Sequence, residues 1–548
     1  MRVLFVCQGN ESLGVEYLSA VLRQHGHVTK LAFDPALFDD PQLYSRALAR
    51  VLDYRGVMFR EAAAFAPDLI AINVLSHIAP WAVEMARGLK QATGAPVVVG
   101  GVHVSGAPDA TMRHPEYDFA IVGEGEYPLL ALVEALQEGS DLSAVPNLLY
   151  REDEVLKRNP LGPFPDYTAL PWPDKELFVR ESDHFRYGYY IQTARGCPMR
   201  CSFCTEDFLS GLSETGRRNH KAYLRTRPVD HVIAELVENK ARYGFNHVMF
   251  FDDILGWDQK WFGEFAEAYR REVNLPYWCF IYPSVVSERM VKNLEMSGCY
   301  QVQMGVQSLS PSIRKDIMLR QESQDQVTRA IDLLRRSSIS LKVDNIAGVP
   351  GQTIDDLVET ARFYSVHRPD KLGIYWLTYF PGTSIIPIAE EMGHLDAEDV
   401  RQIDEGVDGG QYYTPSHRHD RLQVRLLGYI NWVIFLPDWL NRFIIDRRYY
   451  RFWPADRWSY GVLLFVQLFI KKRIPFWNAE TRLFRKTADY LGRIVRAKVA
   501  NAFGRAPLGS ERLVPPKPST DAALGRVDRR ESPHAIGGDG AGHRPAAA

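Results

Sequence analysis

Three cysteines fall within the stretch ARGCPMRCSFCTEDF, residues 194–208: Cys197, Cys201 and Cys204, spaced C-x3-C-x2-C. Thiols packed this closely can bind zinc, pair as disulfides or carry an iron–sulfur cluster. A structural zinc site wants four ligands, often as two pairs separated by about a dozen residues or more. After Cys204 the next cysteine is Cys279, and His184 and His220 lie outside any finger-like spacing, which speaks against zinc. Six cysteines in 548 residues, three of them clustered, fit a reducing compartment with no disulfide framework. Three thiolates on one loop can hold three irons of a 4Fe-4S cluster and leave the fourth open, as a catalytic zinc keeps an open position. Gly196 and Pro198 help such a loop turn tightly, and Phe203 between the last two cysteines would shield the cluster.

Other candidates stand where strands should end. Asp252 and Asp253 close the apolar run HVMFF, where they either cap the next helix or work chemically. Glu124, Glu126 and His103 are cap or carbonyl-satisfying residues on one reading and cofactor-loop residues on the other. Cys7, Cys279 and Cys299 sit in or beside apolar runs and read as small core residues, Cys299 being also a possible hydrogen donor near a radical.

The elements that must position these residues are legible as two series. Residues 2–7, 69–75, 96–100 and 119–122 are short Val- and Ile-rich runs separated by helical patterns, notably one ending at Gly26 and one at Gly94. Strand and helix in alternation predict a doubly wound, Rossmann-like parallel sheet over 1–145, with ligand loops at 8–14, 100–106 and 123–126. The Pro- and charge-rich stretch 146–188 reads as a connector. A second series over 189–400 has candidate strands at 189–195, 247–253, 277–282, 300–306, 340–348 and 371–380. Six βα units make a partial (βα)6 barrel of the TIM type, with working residues at the strand carboxyl ends. The cysteine cluster follows its first strand.

The sequence RGCPMRCSFC resembles the signature of the radical S-adenosylmethionine (radical SAM) superfamily. The resemblance implies a 4Fe-4S cluster on Cys197, Cys201 and Cys204 whose open iron binds S-adenosylmethionine, cleaved after one-electron reduction to a 5'-deoxyadenosyl radical that abstracts hydrogen from carbon. Further stations resemble the family's in order: FFDD with Asp252 and Asp253; GVQS with Gln307 and Ser308, Gln standing where many relatives have Glu; NIAGVPGQT with Gly348 and Gly351; and YFPGTS with Pro381. With Phe203 these are the implied S-adenosylmethionine contacts. The N-terminal pattern LGVEYLSAVLRQHGH, PDLIAINV, VVVGGVHVSGAPD and FAIVGEGEYPL looks like the cobalamin-binding domain of the branch that joins such a domain to the barrel. It implies cobalamin contacts at Asn10, Glu11, Gly14, Ser76, Gly100, Gly101, His103, Gly123, Glu124, Gly125 and Glu126. Methionine synthase-like domains carry D-x-H-x-x-G with His as cobalt ligand; here the matching positions are Gly9 and Glu11, so a bound cobalamin would have no protein ligand on its lower face.

The branch contains methyltransferases and magnesium-protoporphyrin monomethyl ester cyclase relatives. The resemblance therefore implies cobalamin-dependent methylation of an unactivated carbon, with oxidation or cyclisation of a tetrapyrrole- or lipid-like small molecule as the alternative. It also implies an electron donor such as flavodoxin or ferredoxin. A catalytically silent scaffold that binds membrane or a partner is the reading of another class.

Residues 401–500 read as a helical, basic and aromatic element: between Arg442 and Lys498 stand fourteen Lys or Arg, four Asp or Glu and thirteen aromatics. It can form a lid that completes the substrate pocket or, through 426–498, touch an anionic membrane surface. Nucleic acid is not expected, because the apolar clusters suit hydrocarbon better than phosphate. The net charge of -2 gives no global pull toward either partner. The runs 426–440 and 460–470 fall short of the ~20 residues that cross a bilayer. The N-terminus is unlike a signal peptide, so the expected location is the cytoplasm, at its membrane surface if the C-terminal element binds there. Residues 501–548, rich in Gly, Pro and Ala, read as disordered.

Overall fold

The computed structural model describes residues 1–407, 421–454 and 487–495, except 38, 41, 42, 45, 187 and 217–219. The apolar run 460–470 and the tail 501–548 lie outside the described residues.

The first layer is a seven-stranded sheet. Its strands are β1 (Arg2–Gln8), β2 (Val28–Asp34), β3 (Leu69–Asn73), β4 (Val97–Gly100), β5 (Phe119–Ile121), β6 (Leu148–Glu152) and β7 (Val155–Arg158), in the order β2-β1-β3-β4-β5-β6-β7. The pairs from β2 to β5 are parallel and the last two antiparallel. Helices α1 (Leu13–Gln24), α2 (Arg55–Phe65) and α3 (Ala79–Thr93) join parallel strands, and α4 (Glu126–Glu138) leads from β5 to the antiparallel β6. The local signals are plain: Ser12 caps α1 by accepting from the Val15 amide, and α3 starts with Pro80 and stops at Gly94 in the left-handed region. Strand order reverses at β1, so the ligand-binding crevice of such a sheet falls between the carboxyl ends of β1 and β3.

Two features lie outside the expected pattern. β2 is an edge strand whose sequence, VTKLAFD, has only three consecutive apolar residues, too short a run to stand out. The sheet also continues past residue 145: LLYREDEVLKR forms the β6–β7 hairpin, turning through Asp153 and Glu154, both with positive φ as a two-residue hairpin turn requires. Its charged, exposed outer strand reads as loop, and the true connector starts only after Arg158.

The second layer is a six-stranded, all-parallel sheet in sequential order: β8 (Tyr189–Ile191), β9 (Val248–Phe250), β10 (Tyr277–Ile281), β11 (Cys299–Gln307), β12 (Ser340–Ala347) and β13 (Lys371–Trp376). This is the expected partial barrel. Alternate side chains face the outer helices α5 (Val229–Tyr243), α6 (Gln259–Glu272), α7 (Glu288–Ser297), α8 (Gln324–Arg335) and α9 (Ile354–Val366), where Phe250, Phe265 and Tyr277 meet edge to face. Helices α10 (Arg421–Val433) and α11 (Asp438–Asp446) pack against α9 and share the barrel core through Leu426, Ile430, Ile444 and Ile445. The described part of the C-terminal element thus extends the outer helical layer. Residues 487–495 return to the first sheet, where Tyr490 packs on Phe33 and Arg493 pairs with Glu181 at 2.7 Å.

Candidate cofactor site between the two sheets

The cysteine loop is held from three sides. At its start, the Asp252 carboxylate accepts from the Thr193 amide and hydroxyl (2.9 and 2.6 Å) and the Ala194 amide (2.7 Å), fixing the chain that leaves β8. Burial pushes Asp252 up to about 6 even against these hydrogen bonds. Gly196 then turns with φ +86, and a Cβ there would stand 2.7 Å from the Tyr223 carbonyl oxygen, so only glycine fits. Within the loop the buried Ser202 donates its amide to Met318 O (3.1 Å) and its hydroxyl to Ile317 O (2.6 Å), while its carbonyl accepts from the Ile385 amide (2.9 Å). Phe203 packs on the small cluster of Ile313, Met318, Val349 and Ile385.

Behind Cys201 lies a buried polar network. Arg320 points Nη1 at Cys201 Sγ (3.8 Å), donates Nη2 to Gly305 O (2.7 Å) and pairs through Nε with Glu322 (2.6 Å), which also accepts from Tyr282 OH. The guanidinium stacks over the Tyr282 ring at 4.4 Å. All three loop thiols are free, and burial raises each of them, with Arg320 drawing Cys201 the other way. Among the described residues no three His, Cys, Asp or Glu side chains close on one metal ion. Thiolates of a 4Fe-4S cluster bind separate irons and need not do so, and three free thiols on one anchored loop are the donor set it takes.

The remaining barrel residues stand at the strand ends as expected. Asp253 keeps accessible surface in the cleft beside Glu206, and enclosure by the protein together with that carboxylate pushes it well above the carboxylate range. Asp252 does not face the cleft; its partners are the backbone of the cysteine loop. Gln307 adopts φ +67, a left-handed conformation rare outside glycine, at a bulge where β11 and β12 shift register. Ser308 is buried and accepts from the Ser310 amide. Gly348 (φ +75) donates its amide to Gln352, Gly351 (φ +76) follows, and Pro381 meets Gly106 of the first layer so closely that a Cβ on Gly106 would stand 2.3 Å from Pro381 O.

Across from the cysteine loop, a cavity of about 280 Å3 opens at the carboxyl edge of the first sheet. Gly14, Gly100, Gly101, Gly123 and Gly125 line it on that side, and Arg195, Gly196, Glu206 and Tyr223 on the barrel side. A Cβ on Gly14 or Gly100 would meet nothing closer than 4.0 and 3.7 Å, so both leave open room beside the backbone. Gly101 is constrained in a different way: φ is +110, and a Cβ would lie 2.7 Å from Val74 O. The two rims are tied together by Arg195, which pairs with Glu124 (2.9 Å) and Glu126 (2.6 Å) and stacks on Tyr17 and Tyr167; Arg225 takes the other Glu124 oxygen. Glu124 and Glu126 line the cavity but spend their charge on these arginines.

Four expected cobalamin residues have other surroundings. Glu11 is buried against Lys175 Nζ at 2.8 Å, which also holds Glu16 at 2.7 Å; burial raises Glu16 well above its usual range, and it shares a hydrogen bond with Glu11. Ser76 hydrogen-bonds His103 Nδ1 at 3.1 Å, and burial brings that imidazole down to about 4, so it is neutral. Asn10 is exposed. None of the four lines the cavity. Lys175, Arg195, Ser202, Glu206, Arg225 and Arg320 were not singled out by sequence reasoning; only Ser202, Arg195 and Glu206, inside or beside the cysteine motif, carried a signal of position.

Residues 191–364 match the Radical SAM superfamily and residues 9–133 the B12 binding domain. The chain contains a radical SAM domain preceded by a B12-binding domain. It is 26% identical over 407 residues to an uncharacterized methyltransferase of Pyrococcus horikoshii, covering 70% of this chain and 82% of that one. It is 23% identical over 410 residues to the anaerobic magnesium-protoporphyrin IX monomethyl ester cyclase of Rubrivivax gelatinosus, covering 70% and 68%. Its fold is that of the cobalamin-dependent S-adenosylmethionine radical enzyme OxsB, solved with aqua-cobalamin bound: TM-score 0.61 at 16% identity, over 93% of this chain and 82% of that one. The two domains bring a 4Fe-4S cluster, S-adenosylmethionine and cobalamin as cofactors. The free thiols of the anchored loop and the glycine-lined cavity fit the first and the last.

Proposed function

We propose that this radical SAM protein is a cobalamin-dependent methyltransferase acting on an unactivated carbon of a small, tetrapyrrole- or lipid-like molecule. The observation that carries the reading is one cavity bordered both by the glycine edge of the first sheet and by Gly196, the residue before Cys197. Methyl transfer between two cofactors needs both within reach of one substrate atom.

In this reading Cys197, Cys201 and Cys204 hold the cluster, with Phe203 shielding it. Asp253, Gln307, Ser308, Gly348, Gly351 and Pro381 border S-adenosylmethionine, and Asp252 positions the loop. Gly14, Gly100, Gly101, Gly123 and Gly125 give their backbone to cobalamin. When bound, the cofactors supply hydrogen-atom abstraction and a transferable methyl group. The chain's own work is geometric: Arg195 locks Glu124 and Glu126 of one rim to the cysteine loop of the other, so the distance between the two sites is set by buried ion pairs. Electrons come from a small carrier such as flavodoxin or ferredoxin.

The likeness to the Rubrivivax cyclase supports ring-closing oxidation as a second reading. Anaerobic incubation of reconstituted protein with S-adenosylmethionine, an electron donor and candidate substrates separates the two: methylation adds the mass of one CH2 and ring closure does not. A reconstituted protein that makes no more 5'-deoxyadenosine than its Cys201→Ala variant, with the same substrates, would overturn the enzymatic reading.

A further inference from the structure

Helix α11 wears its amphipathicity on both sides. Asn441, Ile444 and Ile445 face inward, where Asn441 accepts from Tyr429 OH at 2.9 Å and donates to Val433 O at 2.9 Å. The opposite face, spaced i, i+3, i+4 and i+8, carries Trp439, Arg442, Phe443 and Arg447. On it Trp439 is 69% exposed and Phe443 50%, and the adjoining turn adds Tyr449 at 47% and Phe452 at 77%. Phe443 and Tyr449 touch, ring centroids 5.2 Å apart, so the aromatics form a patch rather than scattered residues.

The charge on this face has one sign. Asp438 and Asp446, the acidic residues of α11, are neutralised by Arg368 and by Arg362 at 2.9 Å. Arg442, Arg447, Arg448 and Arg451 are exposed, and among the described residues none has a carboxylate partner. Large aromatics ringed by arginines suit the headgroup level of an anionic bilayer, where the rings reach the acyl boundary and the guanidinium groups meet lipid phosphates. The sequence that follows repeats this chemistry: the apolar run YGVLLFVQLFI, 460–470, is followed directly by Lys471, Lys472 and Arg473. The patch also lies on a helix packed against α9 in the outer layer, away from the strand ends that carry the cysteine loop, so a donor of electrons to that loop has no reason to seat there.

We propose that the exposed face of α11, with Tyr449 and Phe452, is a docking surface for an anionic lipid bilayer, on which the protein lies without crossing it. Among the described residues no helix is long and apolar enough to span a membrane, as surface binding requires none.

The test is flotation of the full-length protein with vesicles of phosphatidylcholine alone or with added phosphatidylglycerol. The expected result is flotation with the anionic vesicles only, weakened by salt, and lowered roughly tenfold or more in Arg442→Gln/Arg447→Gln/Arg448→Gln and in Trp439→Ser/Phe443→Ser. These substitutions leave the inward face of α11 untouched, and an unchanged melting curve verifies that. Hydrogen exchange over 439–452 should slow when anionic vesicles are added. Three results overturn the proposal: no preference for anionic vesicles, flotation that neither variant alters, or a dimer seen by sedimentation velocity that the aromatic variant dissociates. Protection of the Trp439 and Phe443 rings from hydroxyl-radical labelling without vesicles also overturns it, in favour of cover by the chain itself.

Discussion

The two rims of the central cavity are built by opposite means. On the barrel side one loop of eight residues, 197–204, concentrates three free thiols, and its position is enforced by the side-chain hydrogen bonds of Asp252, Ser202 and Arg320. On the other side the rim is drawn from several strand ends, and bare backbone at Gly14, Gly100, Gly101, Gly123 and Gly125 lines the cavity between apolar side chains and the arginine-paired Glu124 and Glu126. Coordination of iron needs particular atoms, so it is written in residue type. Holding a large flat ligand needs a shape, and shape is written in the absence of side chains.

The sharpest way to break this contrast is to attack each rim alone. Cys201→Ala removes a thiolate of the cysteine loop while leaving the first sheet intact. It should abolish 4Fe-4S absorbance and 5'-deoxyadenosine formation after reconstitution yet leave cobalamin uptake unchanged, and iron analysis beside the cobalamin spectrum reads both. Gly100→Val is the mirror experiment. The site has room for a Cβ without backbone strain, so the branched side chain fills the cavity rather than unfolding the sheet. Cobalamin affinity should fall by about tenfold or more, a loss of roughly 1.4 kcal/mol or above, with normal iron content. If Gly100→Val lost the cluster instead, the two rims would not be independent.

The same contrast explains what the sequence made legible. The four inner parallel strands of the first sheet appear as apolar runs because they are buried on both faces, and the barrel strands appear because alternate residues are apolar and buried against the outer helices. β2 and the β6–β7 hairpin do not, because an edge strand needs apolar residues on only part of one face. Among the candidate site residues, the cysteines stand out by their spacing and the glycines by their place in the loops at the strand ends. Glu11, Ser76 and His103 occupy the right loops but point to protein partners, Lys175 for the first and each other for the last two. A sequence shows which loop a polar residue lies on and says nothing of what stands behind it. Arg320 and Lys175 were invisible for the converse reason: each is remote in sequence from the group it touches, 119 residues from Cys201 and 164 from Glu11.

Between the rims, Arg195 is where the contrast can be sharpened rather than broken. Replacing it by Met keeps the stacking bulk near Tyr17 and Tyr167 but strands the buried Glu126 carboxylate; Glu124 retains Arg225. Removing one partner of a buried pair costs about 3–5 kcal/mol, so the denaturation midpoint should fall steeply. Adding Glu126→Gln should recover part of that loss, because the stranded charge is then gone. No recovery in the double variant would mean that the stacking of the guanidinium, and not the ion pair, joins the rims.

A pH dependence at Asp252 tests the barrel rim alone. Its carboxyl titrates at about 6 in the folded protein and near 3.8 in an unfolded chain, because burial outweighs the hydrogen bonds from Thr193 and Ala194. Between those values the folded state holds the proton more tightly than the unfolded state, so stability falls as pH rises from about 4 to about 6 and stays low above that. A shift of this size corresponds to about 3 kcal/mol across the window, as an order of magnitude. Asp252→Asn carries no charge and should flatten that slope in anaerobic denaturation of the reconstituted protein. It should also loosen the cysteine loop, since its single amide oxygen replaces a carboxylate that accepts from two backbone amides and a hydroxyl, one of them bonding both oxygens. An unchanged slope would show that Asp252 stays ionised throughout, its hydrogen bonds outweighing its burial. The cysteine loop would then be anchored by a fixed charge, making the barrel rim still less like the glycine-lined rim it faces.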